Sequence, residues 1–216
     1  MSCCIKKQNN LTQFTESGLI FRFSRNAVVQ KYDEHRYFRR LSGSGLKGVD
    51  FLSIFDRSEL VLIEVKNYRI RYKEKPPTEI YHILQHPEIL AEKILAKAAD
   101  TLQMIRVVNK FYRKSRWHNL ILPALEMLRN SRFTRDTRLF WVRAENLTQA
   151  GNFKFVLWLE TETAYPNFSE ADVNRFRRQV ERLLANNVLN INFTVVNART
   201  AQTVFGNKLR GEILSV

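Results

Sequence analysis

The stretch Leu60-Val61-Leu62-Ile63-Glu64-Val65-Lys66 decides the fold. It opens with four apolar residues and then alternates charge with valine. Side chains on a strand alternate between faces, so Val61, Ile63 and Val65 share one face, and Leu60, Leu62, Glu64 and Lys66 share the other. A strand that is apolar on both faces is covered on both, which places it inside a layered structure. Upstream, Val49 to Phe55 is a second strand-like run, and Asp56-Arg57-Ser58-Glu59 separates the two.

Working outward, Leu19 to Phe23 and Ala27 to Gln30 read as further β-segments, and Tyr32 to Leu41 as a mixed stretch able to form a short helix. Ser42-Gly43-Ser44-Gly45 is a loop signal, and Lys75-Pro76-Pro77 another. On the C-terminal side, Pro87 to Tyr112 carries the longest helical pattern. Ile94, Ala98, Leu102 and Ile105 recur at spacings of four, four and three on one face. A shorter helix is expected over Trp117 to Leu128, interrupted at Pro123. Leu139 to Ala144 and Phe153 to Glu160 read as strands. Ser169 with Asp172 three residues on is a relative of the capping box. It starts a helix running to about Leu184 and stopping at Asn186-Asn187. Leu189 to Val196 reads as the last strand, and the final twenty residues are ambiguous. These elements imply one domain over residues 1–216 in the α/β or α+β class, a mixed central sheet flanked by helices. A strand-helix-strand extension closes its C-terminal end.

Composition bounds the function. The chain has 216 residues, 44% hydrophobic and 12% aromatic, enough apolar material for a core. Its formal net charge of +14 points to a polyanionic partner, nucleic acid before an anionic membrane surface. No apolar run approaches the length that spans a bilayer, and Met1 to Asn10 lacks a signal-peptide core. The two cysteines, Cys3 and Cys4, are adjacent, which excludes a disulfide scaffold and a four-cysteine zinc site. A cytoplasmic protein is the expectation.

Glu64 and Lys66 are the first candidates for chemistry. An acid two residues before a lysine is expected about once by chance in such a composition, so the setting counts rather than the tripeptide. Two charges at the end of an otherwise buried strand are costly unless paired or given a ligand. Asp50 on the preceding run can join them only through an odd-length turn or a bulge. An odd-length turn such as Asp56-Arg57-Ser58 sets Asp50 opposite Glu64 or Lys66, whereas an even one sets it opposite Val65 on the wrong face. Two converging carboxylates repel, and a hard divalent cation such as Mg²⁺ or Mn²⁺ relieves that repulsion.

Gly48-Val49-Asp50, a spacer and Ile63-Glu64-Val65-Lys66 together resemble the PD-(D/E)XK nuclease superfamily, the restriction-endonuclease-like fold. The resemblance extends from Ala27 to Ala144. It implies a core of a helix, three antiparallel strands, a helix and a further strand, the last supplied here by the segment around Trp141. It also implies that Asp50 and Glu64 bind Mg²⁺ (or Mn²⁺) and that Lys66 assists catalysis. Val49 stands where the family has proline. For the family's upstream helix-borne acid Glu34 is the candidate, ahead of Asp33 and Glu16. Gln103 could match a glutamine that some members carry, but a solvated helix position is the stronger reading.

Basic residues flank this motif. Arg69, Arg71, Lys73 and Lys75 follow it, Arg36, Arg39, Arg40 and Lys47 precede it, and Lys93 and Lys97 stand four apart on the long helical segment. Tyr68, Tyr72, Phe111, Tyr112 and Trp117 are interleaved, a mixture suited to phosphate contact and base stacking. Lys47, Arg69, Arg71, Lys73, Lys93 and Lys97 are the nucleic-acid-binding candidates. Arg175, Arg177, Arg178 and Arg182 read as the solvated face of a late helix or a subunit contact. His82 and His86 are four apart, but Pro87 argues against a shared helical face, and zinc is not expected. No serine-nucleophile elbow and no phosphate-cradling glycine loop occur. Three functions follow. The first is a metal-dependent nuclease-like enzyme acting on DNA, active as a monomer or a homodimer. The second is a catalytically inactive nucleic-acid-binding module of the same fold. The third is a structural protein whose charge serves solubility or assembly.

Overall fold

The computed structural model describes residues 7–8, 11–32, 47–70, 77–113 and 138–213. The segments 33–46 and 114–137 lie outside them, and with them the expected helices at Tyr32 to Leu41 and Trp117 to Leu128 and the Ser42 to Gly45 loop. Nine strands and five helices are described. The strands are β1 (Lys7–Gln8), β2 (Leu11–Glu16), β3 (Leu19–Phe23), β4 (Ala27–Lys31), β5 (Phe51–Phe55), β6 (Glu59–Asn67), β7 (Phe153–Glu160), β8 (Phe193–Val196) and β9 (Leu209–Ile213). The helices are α1 (Pro77–Gln85), α2 (Pro87–Arg113), α3 (Arg138–Gln149), α4 (Glu170–Ala185) and α5 (Ala201–Phe205).

The strands form two sheets flanked by helices. One has the order β1-β2-β3-β9 and the other β4-β5-β6-β7-β8. The five-stranded sheet is mixed: β4 and β5 are antiparallel, β7 and β8 parallel. A parallel pair needs a crossover, and α4 provides it between β7 and β8. The chain divides into two compact units. The first comprises Met1–Arg25, Ile63–Ala96 and Lys154–Val216, the second Asn26–Leu62 and Lys97–Phe153. Strand β6 and helix α2 run through both.

In the first unit, β2 and β3 form a hairpin with Glu16 facing Leu19. Its two turn residues, Ser17 (φ 49°) and Gly18 (φ 70°), are both left-handed, as the tight turns that suit strand twist require. Phe14, Leu19, Phe21 and Phe23 are buried, and the Phe21 ring meets Trp158 of β7 edge-on at 4.9 Å. β9 closes against β3 with Gly211 facing Phe21. A Cβ on Gly211 would stand 2.2 Å from the Trp158 ring, so only glycine admits this approach. Helix α4 follows the expected boundaries. Ser169 Oγ accepts from Asp172 N–H (3.3 Å) and Asp172 Oδ2 accepts from Ser169 N–H (3.0 Å), the reciprocal cap. Strand β8 is shorter than the expected Leu189 to Val196, because Asn190 turns left-handed (φ 52°) and the Asn187 carboxamide captures the N–H groups of Leu189 and Ile191.

In the second unit, three residues join β5 to β6. Asp56 (φ 49°) and Arg57 (φ 60°) are left-handed, and Arg143 Nε and Nη2 both donate to the Arg57 carbonyl (2.8 and 2.6 Å). Arg143 lies on α3, and here one expectation is corrected. Leu139 to Ala144 is not a strand but the first half of this helix. Phe140, Ala144 and Leu147 are buried at spacings of four and three, and the helix ends before Gly151 (φ 72°). The short apolar run Leu139-Phe140-Trp141-Val142 mimics a strand when its continuation to Leu147 is left out. The further strand that the resemblance located around Trp141 is therefore absent there. Among the described residues the next strand after α2 is β7.

Candidate active site

Strand β6 sets up the acid and the lysine. Every residue from Leu60 to Val65 is buried, as its two-sided apolar pattern predicts. Residues two apart on a strand share a face, so Glu64 and Lys66 are neighbours, and Lys66 Nζ forms an ion pair with Glu64 Oε1. The carboxylate is sealed (0% exposed), while the lysine side chain keeps 24% of its surface open. A buried carboxylate survives beside a cation because mutual attraction offsets the desolvation each has suffered. The next side chain on that face, Tyr68, is also buried. Burial first, and then the negative charge of Glu64, holds its hydroxyl well above the ordinary tyrosine range.

Asp50 belongs to the second unit and is half-buried. Its carbonyl accepts from Tyr32 N–H (2.9 Å), which continues the β4–β5 ladder one residue past Phe51. The segment before it is anchored to α2. Lys47 N–H donates to Asp100 Oδ2 (2.9 Å) and Val49 N–H to Thr101 Oγ1 (3.1 Å). Gly48 lies against the Tyr32 ring, where a Cβ would stand 1.6 Å from Cε1. The Gly-Val-Asp signature thus has a packing reason at its first position and a hydrogen-bonding one at its second. Sequence reasoning missed Asp100 and Thr101, whose only signal is a polar pair inside an otherwise apolar helical face.

Of the other site candidates, Glu34, Arg71 and Lys73 lie outside the described residues. Lys47 and Lys93 are exposed and Lys97 is half-buried. Arg69 is half-buried and held, its Nε donating to Asn67 Oδ1 (3.0 Å) while Asn67 Nδ2 donates to the Ser17 carbonyl (2.7 Å). Gln103 is exposed, which fits a solvated helix position. His82 and His86 do come together despite Pro87, with ring centroids 4.8 Å apart, and His86 Nδ1 lies 3.0 Å from Glu88 Oε1. Arg177 is not simply solvated surface. It is half-buried one helical turn after the buried Val173, and it lines a cleft.

Carboxylate oxygens are the donor class that Mg²⁺ and Mn²⁺ take, and Glu64 and Asp50 are of that class. Among the described residues no three or more His, Cys, Asp or Glu side chains gather as a metal-binding group. No helix among them is long and apolar enough to cross a membrane. Comparison with protein-family models, with curated proteins and with solved structures finds no match to this chain.

Proposed function

We propose that this chain is a metal-dependent, nuclease-like hydrolase of DNA phosphodiester bonds, with Glu64 and Lys66 at the heart of its site. One observation carries the reading: on an otherwise apolar, buried strand, the motif's acid and lysine stand side by side, the acid sealed and the lysine partly open. Burying an ion pair where two apolar side chains would fit brings no stability of its own, so a use for the charges is the economical account. The +14 charge supports a polyanionic substrate.

In this reading Glu64, with Asp50 as the further acid that the resemblance assigns, would hold Mg²⁺ or Mn²⁺. A divalent cation there would supply Lewis acidity toward a phosphoryl oxygen. The chain's own groups do the rest. Lys66, oriented by Glu64, presents its ammonium at the open side of the strand, where it stabilises the charge that builds on the phosphoryl oxygens. Lys47, Arg69, Lys93 and Lys97, with Arg71 and Lys73, contact phosphates and fix the strand's position.

The same ion pair favours a second reading. Glu64 already has a cation beside it, which is the arrangement of a catalytically inactive nucleic-acid-binding module. Incubation with supercoiled plasmid and short duplex DNA, in Mg²⁺ or Mn²⁺ and in EDTA, separates the two. The nuclease reading expects metal-dependent cleavage that Glu64→Gln and Lys66→Met abolish while leaving the circular dichroism spectrum unchanged. Salt-sensitive binding without cleavage of any DNA or RNA establishes the module instead. The absence of both leaves only a structural role.

A further inference from the structure

The first unit contains a second polar site, of which the nuclease reading uses only Arg69. Beyond the C-terminal ends of β7 and β8 the chain opens a cleft of about 260 Å³. The crevice outside the carboxyl ends of parallel strands is where open α/β sheets bind ligands, and this volume lies just below the usual range of small-molecule sites, so it suits a small ligand. Three guanidinium groups line it: Arg69 just past β6, Arg177 on α4 and Arg199 in the turn after β8.

Its acids fall into two kinds. Glu160 is buried and already committed, with Oε1 accepting from Ala198 N–H (2.6 Å) and from Trp158 Nε1–H (2.9 Å). Glu162 and Glu170 are more open. Among the described residues, neither Arg177 nor Arg199 forms an ion pair with them or with any other acid.

The walls are held by specific bonds. Asn197 Oδ1 accepts from the N–H groups of Arg199 (3.0 Å) and Thr200 (2.9 Å), which fixes the turn that carries Arg199. Asn67 orients Arg69. The loop after β7 is pinned where Tyr165 Oη donates to the Tyr68 carbonyl (2.9 Å) and where Tyr165 and Phe168 pair through their backbones. Guanidinium groups that line a walled cleft without pairing to its carboxylates suit an anion that takes several donors at once, and phosphate is the usual match. Glu162 and Glu170 would repel a bare phosphate, but they accept hydrogen bonds from hydroxyl groups.

The geometry points to a site for a phosphate monoester carried on a hydroxylated sugar, with the phosphate on Arg69, Arg177 and Arg199 and the sugar hydroxyls on Glu162 and Glu170. A free sugar phosphate, a mononucleotide and the 5′ end of a nucleic-acid strand all present this chemistry. The inference does not rest on the nuclease reading.

Calorimetric titration of the full chain in EDTA tests it, with inorganic phosphate, ribose 5-phosphate, AMP and a trinucleotide with and without its 5′-phosphate. At least one ester is expected to bind about tenfold or more tightly than inorganic phosphate. Arg177→Gln and, independently, Arg199→Gln are expected to weaken that ester by about tenfold or more, the usual effect of losing a charge-assisted hydrogen bond. Arg178→Gln, an exposed neighbour on α4 that does not line the cleft, should leave it unchanged. Unchanged circular dichroism in each variant excludes misfolding. The ester that binds most tightly identifies the source. The proposal is overturned if no ester binds, if inorganic phosphate binds as well as every ester, or if Arg178→Gln weakens binding as much as Arg177→Gln. Because the readout is binding without metal, its failure is separable from a failure to cleave DNA.

Discussion

Replacing Lys66 by alanine tests whether the Glu64–Lys66 pair is a buried charge pair in energetic fact. Glu64 is 0% exposed, so it cannot recover its hydration when Lys66 is removed. Breaking a buried pair from one side costs roughly 3–5 kcal/mol, against about 0–1 kcal/mol for a surface pair. Lys66 keeps 24% of its side chain open, which lets some water reach the pair and sets the expectation near the lower end, about 3 kcal/mol. The converse change should be milder. Glu64→Gln leaves an ammonium that can turn to solvent, and about 1 kcal/mol is expected, the scale of one net hydrogen bond. Combining Glu64→Gln with Lys66→Ala should cost much less than the two single changes added, because the stranded carboxylate is gone. Urea unfolding at neutral pH, with a constant dependence on denaturant, measures all three. A loss below about 1 kcal/mol for Lys66→Ala, or additive single costs, would refute the reasoning.

Three other outcomes follow from the packing and the titrating groups. Gly211→Ala pushes a methyl group to 2.2 Å from a Trp158 ring that is itself buried and bonded to Glu160, so a loss of roughly 1–3 kcal/mol is expected. Gly151→Ala meets no neighbour, and an unfolding midpoint measured beside it isolates the cost of its left-handed backbone from that of a clash. Ser169→Ala removes one arm of the α4 cap and should cost about 1 kcal/mol with a shorter helix by amide exchange. Burial pushes the Tyr165 hydroxyl up to about 12. A group whose value is raised in the folded state stabilises fully below its unfolded value and loses that contribution as pH climbs through the folded one. The urea midpoint should therefore fall between pH 10 and 12, and Tyr165→Phe should flatten part of that slope. A slope unchanged in Tyr165→Phe would remove Tyr165 from the account.

Legibility in the sequence followed the strength of local pattern. Helix α2 was readable because Ile94, Ala98 and Ile105 keep one face buried over several turns. β7 was readable because a continuous apolar run ends at a charged residue. The start of α4 was readable because capping is chemistry between residues three apart. α3 was misread for the complementary reason: a window of six apolar-rich residues has no resolvable period, and the decision lies with Leu147 and Gly151 further on. The Glu64–Lys66 neighbourhood followed from strand alternation alone. The cleft did not. Arg69, Arg177 and Arg199 lie more than a hundred residues apart at the extremes, and no local pattern separates a guanidinium that lines a cavity from one that covers a surface.

The chain's own order of residues determined its class, its interior strand β6, its reciprocal cap at Ser169 and the shared face of an acid and a lysine. These all depend on neighbours within a few positions, where the backbone's periods of two and 3.6 act directly. Tertiary structure alone decided that Gly211 admits Trp158, that Gly48 lies against Tyr32, that Asn67 holds the Arg69 guanidinium, and how deeply Glu64 is buried. Those outcomes are contacts and desolvation between distant segments, and no period of the chain encodes them.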